Sequence, residues 1–211
     1  MTAVTIADFG SGNLLSVHRA LAHLGATITV ATTAAEIAGA ARLIVPGVGA
    51  FADSMTNLTS RGLAQPVKDF AASGRPCLGI CVGMQMLFDS GEEFGDSAGL
   101  GLIPGAVRRI PATGTDGRPH KVPHVGWNRL AAVSDWSGTI LDGTPEGAFV
   151  YYVHSFAGHP ASESHRLADS DYDGCRIAGV VRRGNLYGCQ FHPEKSGEIG
   201  LAILANFLRL S

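Results

Sequence analysis

Charge is scarce in this chain. Only 16% of its 211 residues are Asp, Glu, Lys or Arg, against roughly a quarter in ordinary globular domains. The formal charge of −2 leaves no electrostatic footprint for nucleic acid or for an anionic lipid surface. No run of about 18 apolar residues exists to span a bilayer. The opening MTAVTIADFGSGN lacks the basic segment and apolar run of a secretory signal, so a cytoplasmic location is expected. Cysteine is sparse too. Cys77, Cys81, Cys175 and Cys189 contain no CxxC pair, which sets aside zinc-ribbon and thioredoxin-like readings. Without a secretory signal no disulfide is expected. The histidines offer no HExxH and no Cys/His ligand spacing, so no metal site is expected. No repeat, low-complexity stretch or linker interrupts the chain, and residues 1–211 read as one domain.

Glycine is what the chain has in excess. Its 28 glycines are about twice the usual share of roughly 7%. That density points to tight strand-to-helix turns and close backbone approach. The first half alternates short apolar runs with amphipathic stretches. Strands are expected over 4–9, 27–31, 43–45 and 77–81. Helices are expected over 14–24, about 63–72 and 83–88. Buried, unalternating strands joined by helical crossovers imply a mostly parallel sheet with helices on both faces. The second half suggests antiparallel strands over 106–110, 122–130 and 149–156. A hairpin over 174–191 is expected to turn at Arg183-Gly184-Asn185. A closing helix over about 197–210 turns Ile199, Ile203, Phe207 and Leu210 inward. His120, His159 and His165 fall in polar stretches and are expected to be solvated.

Three short segments carry chemistry. Gly79-Ile80-Cys81-Val82-Gly83 joins an apolar strand to a helix and has the layout of a nucleophile elbow with Cys as nucleophile. Glycines allow the sharp turn, and a helix N-terminus favours a thiolate. The plainer reading is a buried Cys at a strand end. Phe191-His192-Pro193-Glu194 puts His192 and Glu194 on the same side of an extended segment. A carboxylate there can fix one imidazole tautomer, as in a catalytic triad. The plainer reading is a His-Pro loop with a solvated Glu. Pro46-Gly47-Val48-Gly49 follows a buried strand and can offer a backbone amide to a developing oxyanion. Alone it is an ordinary turn. Together the three place two strand-to-helix turns at the carboxyl edge of one sheet, where open α/β folds hold their sites. Gly10-Ser11-Gly12 begins a dinucleotide fingerprint, but Leu15 stands where the third glycine belongs, so no such cofactor is expected.

GICVGMQ around Cys81 and FHPEKS near the end resemble the class I (triad) glutamine amidotransferases. DFGSGNL at 8–14, PGVGAF at 46–51, PHVGWN at 123–128 and YYVHSF at 151–156 narrow the resemblance. They are similar to the glutaminase-subunit family of imidazole glycerol phosphate synthase, from about residue 4 to about 208. The resemblance implies that Cys81 attacks the side-chain amide of glutamine, that His192 moves the proton and that Glu194 orients His192. It implies an oxyanion hole at Gly47, Val48 and Val82. It implies a glutamine pocket of Gly49, Gln85, Glu93, His154, Ser155 and Phe156, with no cofactor. It implies that ammonia passes to a partner cyclase, a (β/α)₈ barrel forming a heterodimer, with Asn13, Trp127 and Lys195 facing that barrel. The two glycines beside Val48 would let its peptide flip between an inactive and an active state. Phe9 stands where the family usually has Tyr, which removes a hydroxyl expected near the interface. Two other readings stay open: a glutaminase serving a different synthase, and a non-catalytic scaffold subunit with the same fold.

Overall fold

The computed structural model describes residues 2–211. Its first half alternates strand and helix. Strands β1 (Ala3–Ala7), β2 (Thr27–Ala31), β3 (Leu43–Gly47) and β4 (Cys77–Cys81) are joined in turn by helices. These are α1 (Leu14–His23), then α2 (Ala34–Ala38), then α3 (Phe51–Ser60) followed by α4 (Ala64–Ala72). A short helix, α5 (Val82–Gln85), leaves β4 without a loop. The second half supplies β5 (Phe88–Gly91), β6 (Ser97–Ala98), β7 (Ile103–Arg109), β8 (His124–Arg129) and β9 (Ala131–Ala132). It continues with β10 (Phe149–His154), β11 (Phe156–Pro160), β12 (Arg166–Tyr172), β13 (Cys175–Arg183) and β14 (Leu186–Cys189). Helix α6 (Gly197–Arg209) closes the chain.

The main sheet has eight strands in the order β2-β1-β3-β4-β14-β13-β12-β9. The first five run parallel, and the last three are added antiparallel. β3 and β4 are buried at every residue, because helices cover both faces of the parallel part. The core is rich in rings: Phe9, Phe51, Phe70, Phe88, Phe191 and Phe207 are fully buried. Each such side chain contributes about 2–3 kcal/mol of apolar burial. Helix α1 buries Val17, Ala20 and Leu21 on one stripe and stops where Gly25 takes φ +74°, a conformation that suits glycine. Leu14 and Leu24 reach the core edge only partly. A four-stranded sheet, β11-β7-β5-β6, and a two-stranded ribbon, β10-β8, flank the main sheet. Among the described residues no helix is long and apolar enough to cross a membrane.

The expected α/β class is the observed one, and the differences are local. The helix expected over 83–88 ends at Gln85, and Phe88 begins β5. The cause is competition for carbonyls. Met86, Leu87 and Phe88 accept from the amides of Leu100, Leu102, Ile103 and Gly101 rather than from the next helical turn. The single strand expected over 149–156 divides at Ser155, whose carbonyl accepts from Ile110. Its two parts, β10 and β11, belong to different sheets. Strand β12 is absent from the sequence reading because it buries polar groups. Asp169 is paired with Arg166 at 2.8 Å and with Arg176, and Ser170 Oγ lies 2.7 Å from Tyr152 OH. The hairpin turns at Gly184 as expected, with Arg183 opposite Leu186 and φ +60° at Gly184.

The three histidines expected in solvent are only partly exposed. The His120 side chain is only 5% exposed. It stacks on Tyr172 and lies 3.1 Å from Asp173 Oδ2 and 2.6 Å from the Pro111 carbonyl. His159 sits within β11, and His165 closes a 3₁₀ turn with its Nδ1 buried. Phe9 is fully buried.

Candidate active site

Backbone pressed on backbone forms the floor of the site. β3 and β4 lie side by side in a register that sets Gly47 opposite Cys81. The chain then turns directly into α5, and Cys81 takes φ +56°. A non-glycine residue held there is strained and persists only where its surroundings enforce it. Glycines provide the room. A Cβ on Gly83 would lie 1.8 Å from the Val45 carbonyl oxygen, and one on Gly79 would lie 2.6 Å from the Gly83 carbonyl oxygen. A Cβ on Gly47 would lie 2.6 Å from the Gly83 amide nitrogen. The sharp turn holds the Cys81 sulfur at the mouth of α5, with the Val82 amide next in the chain.

His192 approaches from the opposite side. Its backbone amide donates to the Tyr151 carbonyl at 2.9 Å, and its carbonyl accepts from Ser196 Oγ at 2.7 Å. Its Nδ1 lies 2.8 Å from Glu194 Oε1, and both side chains are almost wholly buried. The other Glu194 oxygen, Oε2, is buried without a hydrogen-bond partner. The carboxylate therefore directs its interaction to His192. Burial alone would lower the imidazole pKa. The hydrogen bonds and charges of Cys81 and Glu194 outweigh it and raise the value to about 9. An imidazolium beside a cysteine sulfur is the pairing that yields a nucleophilic thiolate. The remaining cysteines lack such surroundings: burial pushes the Cys77 thiol up to about 12 and the Cys189 thiol up as well.

A cavity of about 270 Å³ opens in front of this pair. The sequence-predicted residues Val48, Gly49, Cys81, Val82, Gln85, Glu93, His154, Ser155, Phe156 and His192 all line it, together with Pro123 and Val153. Gly47 lies beneath it and Glu194 behind His192. Glu93 is fixed by the Phe51 amide, which donates to its Oε2 at 2.8 Å. The Val48 carbonyl is fixed by Ser11 Oγ at 2.8 Å. His154 lends its wall a defined protonation state. Its Nδ1 donates to the Phe156 carbonyl at 2.8 Å, so its Nε2 accepts from His124 Nδ1 at 3.0 Å; the tautomers follow from the acceptors. Burial lowers His154 to about 3 and His124 to about 4, and both stay neutral. His120 and His124, four residues apart, both stack on Tyr172.

The predicted partner residues lie outside the cavity. Trp127 is 54% exposed on β8, Lys195 is exposed beside Glu194, and half-buried Asn13 precedes α1. The sequence reading missed Gln190. It is fully buried, and its Nε2 faces the Cys81 sulfur at 4.0 Å. A signal for it existed: the two-residue period that pairs His192 with Glu194 also includes Gln190.

Residues 5–210 match the family model described as glutamine amidotransferase class-I. This chain is a class I glutamine amidotransferase. Within that family it is 51% identical over 213 residues to imidazole glycerol phosphate synthase subunit HisH 1 of Legionella pneumophila (strain Lens), covering 100% of both chains. It is 47% identical over 208 residues to subunit HisH of Geobacillus thermodenitrificans (strain NG80-2), covering 99% of this chain and 96% of that one. Among solved structures, PurLQS from Thermotoga maritima superposes with a TM-score of 0.73 at 18% identity, covering 99% and 98% of the two chains. A crystal structure of a glutamine amidotransferase gives 0.72 at 18% identity, covering 97% of each chain. These two share the fold of this chain.

Proposed function

We infer that this amidotransferase is the glutamine-hydrolysing subunit of an imidazole glycerol phosphate synthase in histidine biosynthesis. The observation that carries the reading is identity of about half, over the full length, to HisH subunits, in a chain whose Cys81, His192 and Glu194 come together at one cavity. Residues 1–211 act as one glutaminase domain in the cytoplasm.

The chemistry balances on these residues. The Cys81 thiol gives its proton to His192 and attacks the side-chain amide carbon of glutamine. The oxyanion accepts from the Val82 amide and, once its peptide is turned inward, from the Val48 amide. The tetrahedral intermediate collapses as imidazolium His192 protonates the departing nitrogen, leaving ammonia and a glutamyl thioester. Water then adds to the thioester, passing a proton to His192. The carbon–sulfur bond breaks and glutamate departs. Glu93 supplies the carboxylate for the substrate ammonium. Gln85 uses both Nε2 hydrogens inside the protein, on Phe156 and Gln190, so it offers substrate its Oε1 as an acceptor.

Ammonia passes to a cyclase barrel. The face that suits such a partner is the outer side of the β10-β8 ribbon. Val125 and Trp127 on β8 and Phe149 and Val153 on β10 are exposed there, while His124, Tyr152 and His154 occupy the inner side. A single-sided apolar stripe of this kind marks a protein interface. Lys195 and Asn13 complete the contact. The test is glutamate release by the chain alone and with a histidine-pathway cyclase and its nucleotide substrate. Strong stimulation by the cyclase is expected, with none in Cys81→Ala. Release at the same rate without the cyclase, or by Cys81→Ala at the parent rate, would overturn the reading.

A further inference from the structure

Gln190 closes a hydrogen-bond chain that starts at the pocket wall. The Phe156 carbonyl can only accept, so the amide that faces it at 2.8 Å is the Gln85 NH₂ group. The second hydrogen of that group goes to Gln190 Oε1 at 3.2 Å. This turns the Gln190 amide so that its own NH₂ group faces the Cys81 sulfur at 4.0 Å. The backbone cannot drift, because the Gln190 amide nitrogen donates to the Gly179 carbonyl at 2.9 Å. A buried primary amide is costly unless its groups are paired. An apolar side chain would fill the same space without that cost. Here one end of the amide is spent on orientation, which leaves the other for sulfur.

We propose that Gln190 is a further catalytic residue of this site, whose side-chain amide donates to the Cys81 sulfur and stabilises its anionic form. The proposal rests on the glutaminase reading and assigns a separate task within it. His192 stabilises the thiolate only while it carries the proton, and it surrenders that proton to the leaving ammonia. Gln190 does not titrate. It remains a donor to sulfur when thioester hydrolysis returns the bonding pair to that atom. A donor bond to a charged acceptor is stronger than one to a neutral acceptor, so the interaction grows as the thiolate forms.

The test uses the full chain with Gln190→Met and Gln190→Glu. Glu keeps the shape and the oxygen toward Gln85 but loses the donor. Thermal unfolding checks that each variant folds. The rate of iodoacetamide labelling of Cys81, read on its own peptide, is followed against pH. The midpoint is expected to rise by about one pH unit in Gln190→Met and further in Gln190→Glu. With the cyclase complex, kcat should fall about tenfold while KM changes little. An unmoved labelling midpoint in folded variants overturns the proposal. So does a rise in KM at unchanged kcat, which would mean that Gln190 only props up Gln85. Should both variants fail to fold, the unmutated protein decides: the Gln190 side-chain amide protons must shift in an NMR titration as the thiol deprotonates, and no shift refutes the contact. If the parent releases no glutamate with its cyclase, yet the labelling midpoint still moves, the glutaminase reading fails and the amide–sulfur contact stands.

Discussion

Replacing Glu194 with Gln removes a charge while keeping an acceptor for the His192 Nδ1–H. The structure sets the size of the effect. His192 is raised from 6.5 to about 9, a shift of about 2.5 pH units worth about 3 kcal/mol. Cys81 and Glu194 together supply that rise and also offset the lowering by burial, so losing the Glu194 charge should forfeit on the order of 1–2 kcal/mol. The sign follows from linkage. A histidine raised in the folded state binds its proton more tightly there than when unfolded. Its stabilisation is complete below about pH 6.5 and is lost as pH rises through about 9. The parent should therefore become easier to unfold between pH 6.5 and 9. Glu194→Gln should show a shallower loss over the same window. Urea unfolding of both proteins at pH 6 and pH 9.5 measures this, because groups common to both cancel. The alkaline limb of glutamate release should move to lower pH in the variant. An identical pH slope in the two proteins would refute the pairing of charge and imidazole.

Three further outcomes follow from other parts of the molecule. Gly83→Ala forces a Cβ to within 1.8 Å of the Val45 carbonyl oxygen and should cost about 3 kcal/mol or more; an unchanged melting temperature would contradict the close packing of β3 on α5. His124 and His154, lowered by burial to about 4 and about 3, should remain neutral between pH 7 and 5 in an NMR titration, and stability should fall as pH drops below about 6.5, since the unfolded chain then binds protons the folded one refuses. A midpoint near 6.5 for either ring in the folded protein would refute their burial. Trp127→Ala, at a site 54% exposed, should leave stability within about 0.5 kcal/mol while weakening cyclase stimulation about tenfold or more; unchanged stimulation would move the interface elsewhere.

The parallel half of the fold was legible because burial on both faces leaves short apolar runs, as in β1, β3 and β4. The elbow was legible because glycine is required on both sides of Cys81. Elements whose pattern is set by distant partners were not. β12 carries Arg166, Asp169 and Ser170 inward, and only their ion pairs and hydrogen bonds explain why they are tolerated there. α5 stops after one turn because carbonyls beyond it are claimed by residues 100–103, which no local propensity records. α3 mixes Asp, Ser, Thr and Asn with few large apolar residues and buries only Phe51, Ser54 and Leu58, a stripe too narrow to stand out. His120 reads as a loop residue until Tyr172 and Asp173, some fifty residues later, close over it. Gln190 shares the alternation of His192 and Glu194, but a lone glutamine in a sequence suggests no chemistry.

The glycine floor beneath Cys81 bears on how such an enzyme could be retailored. Gly47, Gly79 and Gly83 each meet neighbouring main chain where a side chain would begin. Trimming or enlarging residues there cannot reshape the reaction centre, because nothing remains to trim and no space remains to fill. Selection for a longer or shorter amide must therefore act on the walls, at Glu93, Ser155 and Phe156, which line the cavity. The glycine floor forms a fixed die, and new substrates would be accommodated by recutting what surrounds it.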